Sequence, residues 1–104
     1  MDEQSDTREL TGLILKDMDL GTESGLLQSG DLEMLRQKLI EVINMLLHKD
    51  FHRLVNAMYR LDINEKSFRD VISGMHSPNV AARLAELVIN RELEKIKSRK
   101  EFRK

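Results

Sequence analysis

Residues 46–61 read LLHKDFHRLVNAMYRL, and the fold turns on whether one helix or two run through them. At about 100° per residue, the apolar stripe of Leu39, Ile43, Leu47, Leu54 and Met58 has Asp50 near its centre. A lone carboxylate there would be buried and would need a partner. A break is the simpler solution. Asp50 then becomes the N-cap of a second helix, accepting a hydrogen bond from the amide of His52 or Arg53. The alternative is one long helix with Asp50 paired to an arginine. The same choice governs His48 and His52. On a continuous helix, imidazoles four apart share a face and can ligate zinc or nickel. The metalloprotease form needs Glu directly after the first His, where Lys49 stands. The third histidine, His76, falls in an expected loop. A joint leaves the imidazoles incidental, and no metal site is expected.

Upstream of the joint, Leu32, Leu35, Leu39, Ile43, Leu46 and Leu47 follow in steps of three and four. That spacing predicts an amphipathic helix to about residue 48, capped by Asp31 or Ser29 with Glu33 in the first turn. Downstream, Phe51, Leu54, Val55, Met58 and Leu61 make the stripe of the second helix. Asn64 caps a third, whose apolar face is Phe68, Val71 and Ile72, with Gly74 as a left-handed stop. Ser77 followed by Pro78 is a start signal for the last helix. It carries Val80, Leu84, Leu87, Val88 and Ile96 on its apolar side, and Ala81, Ala82 and Ala85 to admit a close neighbour. No segment alternates as a strand. The expected fold is all-α, a compact bundle of three to four helices with a flexible N-terminal segment.

That segment, residues 1–28, is acidic. Leu10, Leu13, Ile14 and Met18 predict a marginal helix over 7–18, with Asp6 and Glu9 in the form of a capping box. Gly12 weakens it, and DLGTESGLLQSGD reads as a loop. The helix either docks on the body or serves as a short linear motif, and docking is the favoured reading. Residues 29–104 form the bundle domain, ending in a basic helix.

The 104 residues allow one domain, and 34% charged residues suit a modest core beneath a charged surface. With no cysteine, disulfides and thiolate chemistry are excluded. No apolar run reaches the length of a membrane span. The acidic start has no apolar leader region, so a cytoplasmic protein is the expectation. Nine acids face two bases over residues 1–35, whereas seven bases face three acids over 91–104. Such ends can attract each other, a second copy or a charged partner.

The run DFHRLVNAMYRLDINE, followed by RLAELVINRELEKIKSR, resembles small uncharacterised all-helical proteins of Bacteroidetes-type bacteria. The resemblance covers roughly residues 46–99. It implies helices and a bacterial cytoplasm, and it implies no reaction.

Constellations for chemistry are sparse. No two of the eighteen carboxylates sit in an evidently apolar setting that would drive their pKa values apart. Most have a base three or four residues away, as in Glu65 with Arg69, Lys66 with Asp70, Arg83 with Glu86, and Glu94 with Lys97. The scattered glycines form no phosphate cradle. An enzyme is therefore not expected, and neither is a cofactor. The basic end offers Arg91, Lys95, Arg99 and Lys100 to nucleic-acid phosphates, but interleaved Glu92, Glu94 and Glu101 blunt that field. Few aromatics are present to stack on bases. The leading expectation is a non-catalytic protein–protein interaction module, with self-association among its forms. Helix contact is expected at Ala82, Ala85, Ile89 and Leu93, with Tyr59 and Arg60 beside them. The alternative is a nucleic-acid-binding accessory protein using the basic end.

Overall fold

The chain breaks at Asp50. In the computed structural model, which describes residues 3–21, 24–74 and 79–102, helix α2 spans Leu32–Lys49 and α3 spans Phe51–Leu61. One residue serves both. The Asp50 amide donates to the Leu46 carbonyl and closes α2, while its carboxylate accepts from the Arg53 amide at 3.2 Å and opens α3. The expected joint is therefore present, and the long-helix alternative is not. Asp50→Ala removes the cap of α3 and is expected to cost about 1 kcal/mol, read as a lower urea midpoint by circular dichroism.

Three further helices complete the described residues: α1 (Glu3–Asp17), α4 (Glu65–Ile72) and α5 (Val80–Phe102), together with a 3-10 turn at Leu26–Gln28. Five helices stand where sequence spacing predicts three to four. The all-α class holds, and among the described residues there is no strand. The radius of gyration, 13.5 Å, is that of a folded chain of this length. Helix α5 lies at the centre, with α1, α2, α3 and α4 all packed against it.

The difference in count comes from the N-terminal end. Helix α1 begins at Glu3, upstream of Asp6, so Asp6 falls inside the helix and not at the position before it. Leu10, Leu13 and Ile14 on it and Met18 just after it are all buried. These are the four positions that periodicity marks as its apolar face. The loop that follows is pinned too, because Leu26 is fully buried and Lys38 Nζ donates to the Gly25 carbonyl at 3.0 Å. Gly25 takes a left-handed φ of 79°, which glycine adopts without steric cost.

The caps mostly follow the sequence. Asp31 accepts from the Met34 amide at 2.8 Å, and Asn64 accepts from the Ser67 amide at 3.0 Å. Asp62 closes α3 in the left-handed region, with its amide on the Met58 and Tyr59 carbonyls. Gly74 is not the left-handed stop expected for α4. There the Ser73 amide reaches the Arg69 carbonyl and its hydroxyl donates to the Asp70 carbonyl, so the helix ends without an inverted residue. The Ser77–Pro78 start and His76 lie outside the described residues.

The expected surface ion pairs are partly re-routed. Glu86 bonds Arg36 of α2 instead of Arg83, and Glu94 pairs with Arg91 at 3.3 Å instead of Lys97. The Arg36 Nε–Glu86 bond, with Glu33 on a terminal guanidinium nitrogen, ties the start of α2 to α5.

Candidate functional site

Two places on the molecule depart from a plain packed bundle. The first is a groove between α3 and α4. The stripe of α3 turns Leu54, Ala57, Met58 and Leu61 inward. Val55 and Tyr59, on its flank, are left beside Ile63 and Phe68. The resulting hollow holds about 160 Å³, close to the size at which an apolar cavity takes up a benzene ring. Glu65 and Arg69, both exposed, stand at its rim. Tyr59 is 72% exposed. A ring of this size left in water next to apolar walls is a feature that binding surfaces share.

The second place is a cluster of charge between α1 and α5. Glu92 is fully buried, and neither of its carboxylate oxygens has a hydrogen-bond partner of the ordinary kind. Its neighbours are the Asp17 carboxyl from the end of α1 and Lys95 one turn along α5. Lys95 Nζ sits 3.2 Å from Asp17 Oδ2 and 3.4 Å from Glu92 Oε1. One ammonium thus lies between two carboxyl groups. With both ionised the cluster would carry a net negative charge away from water, which is costly. With one proton kept, it is neutral. Burial, and then the Asp17 carboxyl, push Glu92 up to about 7, against the pull of Lys95. Burial alone would raise Asp17 as well, but hydrogen bonding from Glu92 and Lys95 holds it below its ordinary 3.8. The proton is therefore kept by Glu92, beside the ionised Asp17 carboxylate. This corrects the expectation that no carboxylate pair is set apart by an apolar environment.

The end of α1 is gripped from α3 as well. Arg60 Nε donates to the Asp17 carbonyl at 2.8 Å, and Arg53 donates to the Asp19 carbonyl at 2.6 Å. Cations there complement the negative end of the helix dipole.

The residues singled out from the sequence divide accordingly. Tyr59 lines the groove, whereas Arg60 holds α1. Ala85 and Ile89 are buried in the protein's own core, so the contact they were expected to offer a partner is made within the chain. The reason is that α5 is covered on several sides, and a helix's own pattern does not reveal how many neighbours it will have. Ala82 is half-buried, and Leu93 is 40% exposed. Of the four basic candidates, Lys95 belongs to the charge cluster. Arg91 donates to the Leu61 carbonyl at 3.0 Å and lies 3.6 Å from Asp62. Arg99 is exposed and Lys100 half-buried. His48 and His52 lie on different helices, and His48 Nδ1–H donates to the Asn44 carbonyl at 2.8 Å. Among the described residues no three His, Asp or Glu side chains group closely enough to hold a metal ion.

Sequence reasoning missed Glu92. Its signal is nonetheless present, since Glu92 stands midway between Val88 and Ile96 on a stripe of four-residue steps.

No protein-family model, no curated protein and no solved structure matches this chain.

Proposed function

We propose that this chain is a non-catalytic interaction module that receives an apolar side chain of a partner protein in the α3–α4 groove. The observation that carries the reading is Tyr59, a large ring in solvent beside walls of Val55, Met58, Ile63 and Phe68. The groove's volume suits one aromatic or branched aliphatic anchor, of the kind an amphipathic helix presents when it lies in a groove. Glu65 and Arg69 on the rim favour a segment with charges of both signs around that anchor. A location in the cytoplasm belongs to the same proposal. Among the described residues no helix is long and apolar enough to cross a membrane. The reading as a nucleic-acid-binding protein has less to draw on, since Arg91 and Lys95 are engaged within the chain.

The test is a peptide-display selection against the full chain, with Tyr59→Asp as its counterpart. Because Tyr59 is exposed, the substitution is expected to leave the thermal midpoint within about 2–4 °C, the range of a surface change. Recovered peptides should share an apolar anchor and bind Tyr59→Asp at least about tenfold more weakly, as loss of a central aromatic contact implies. Peptides indifferent to both Tyr59→Asp and Val55→Asp overturn the reading, and so does a selection that enriches nothing. A second copy as occupant would appear as a concentration-dependent mass that Tyr59→Asp abolishes.

A further inference from the structure

We propose that α1 is a detachable strap, latched to α5 by one proton shared within the Asp17–Glu92–Lys95 cluster, and that loss of this proton loosens the strap while the body of α2–α5 stays folded. The latch joins residues 75 and more positions apart, and it is an ionic contact between the two helices: Lys95 reaches Asp17 at 3.2 Å across the α1–α5 interface. Glu92 is the member whose charge is furthest from water. It is fully buried, and the ammonium of Lys95, 3.4 Å from its Oε1, makes no well-aligned hydrogen bond to it. Around it stand Asp17 of α1, with Lys16 acting on Asp17, and Lys95 of its own helix. From α3, Arg60 faces the same corner but spends its guanidinium on the Asp17 backbone carbonyl. Protonated Glu92 can donate to Asp17. Ionised Glu92 faces Asp17 as a like charge with a single ammonium between them, and separating the helices lets water reach both.

The strap itself is a weak helix. Gly12 sits at its middle, where a Cβ would meet nothing within 4 Å, so no close packing requires a glycine there. Buried Thr11 donates to the Thr7 carbonyl, a back-bond that competes with regular helix geometry. Helix α1 therefore depends on docking for its structure. The body does not depend on α1 in the same way, because α5 packs on α2, α3 and α4, and α2 packs on α3, without it. Release would bare the face of α5 that holds Glu92, where Val88 and Ile96 lie four residues to either side.

The direction with pH follows from linkage. Glu92 has its value raised from 4.5 to about 7 in the docked state. Its contribution to docking is fully present below 4.5, falls as pH rises from there, and is gone above about 7. Asp17, held low, contributes above its ordinary 3.8 and loses that contribution only in stronger acid.

Amide hydrogen exchange on the full chain, followed by mass spectrometry between pH 5 and 8 and corrected for the intrinsic rate, reads the two bodies separately. Protection over α1 should fall by up to about tenfold per pH unit until pH is near 7, relative to α2. Glu92→Gln keeps the shape of the neutral acid and should flatten the profile. Asp17→Asn, which removes the neighbour that resists ionisation, should make it shallower, and it decides the matter if Glu92→Gln does not fold. Equal slopes in the wild type and in the variant that folds overturn the proposal. Loss of protection over α1 and α2 together does the same, because it would mark a global effect.

Discussion

Replacing Leu84 by alanine is expected to destabilise the protein by about 3–4 kcal/mol, within the range for deleting a fully buried leucine. Leu84 has no exposed surface and sits on α5, the helix that every other helix touches. The loss combines the transfer free energy of the missing carbons with the cavity they leave, which close-packed neighbours fill only in part. For a chain of this length that corresponds to a thermal midpoint lower by about 12–30 °C, measured by circular dichroism at the helical bands. Leu93→Ala on the same helix is the control. With 40% exposure, Leu93 should lose about 1 kcal/mol or less. Equal effects at the two positions would contradict the placement of α5 at the centre.

The second large effect is expected at Lys95→Met. The methionine keeps most of the aliphatic stem and removes the cation that lies between Asp17 and Glu92. Breaking a buried pair by deleting one partner costs about 3–5 kcal/mol, because the remaining charge is left uncompensated. Here the lower end applies, since Lys95 retains 24% side-chain exposure. The cost is also conditional on pH. Without Lys95, which pulls Glu92 down, that acid should hold its proton to a value above about 7. At pH 5, where Glu92 keeps its proton in both proteins, the variant should lose the attraction between Lys95 and the ionised Asp17 carboxylate. The loss should reach about 3 kcal/mol at pH 8, up to about 1.4 kcal/mol more than at pH 5, because by then Glu92 has given up its proton beside Lys95 in the wild type but is held at a higher value in the variant. Urea unfolding at the two pH values measures the difference. A loss that is the same at both would mean that Lys95 does not act on the Glu92 carboxyl.

How much of this could be read from the residues depends on how far apart the partners are in the chain. Asp50 was legible because local periodicity sets a charge in the middle of an apolar stripe, and a break is the local remedy. Asn64 and Asp31 were legible as caps for the same reason: a cap bonds an amide three residues away. Glu92 occupies the same kind of position as Asp50, between Val88 and Ile96, yet its remedy is not local. The chain runs through it as regular helix, and the group that relieves it, Asp17, arrives from 75 residues upstream. A pattern taken along one helix can flag such a carboxylate but cannot name its partner. The same limit explains Ala85 and Ile89. Their spacing shows that something packs there, and only the assembled bundle shows that it is the protein's own helices. The α3–α4 groove lies further from sequence still, because it depends on the angle at which two short helices meet around Ile63. Tyr59 was identifiable as a flank residue, but the hollow beside it was not.

The shared residue at position 50 also sets a rule for how this chain can vary in length. Since α2 ends and α3 begins with nothing between them but Asp50, any insertion at that point must be absorbed by α3 itself. One added residue turns a helix by about 100°, which would swing Leu54, Ala57, Met58 and Leu61 out to water together. Among the described residues of the fourteen positions between α1 and α2, the buried plugs are Met18 and Leu26, and no helix there has to keep its phase through an insertion. Homologous chains should accordingly show gaps and extensions there, and a fixed count of residues from Leu39 to Leu61.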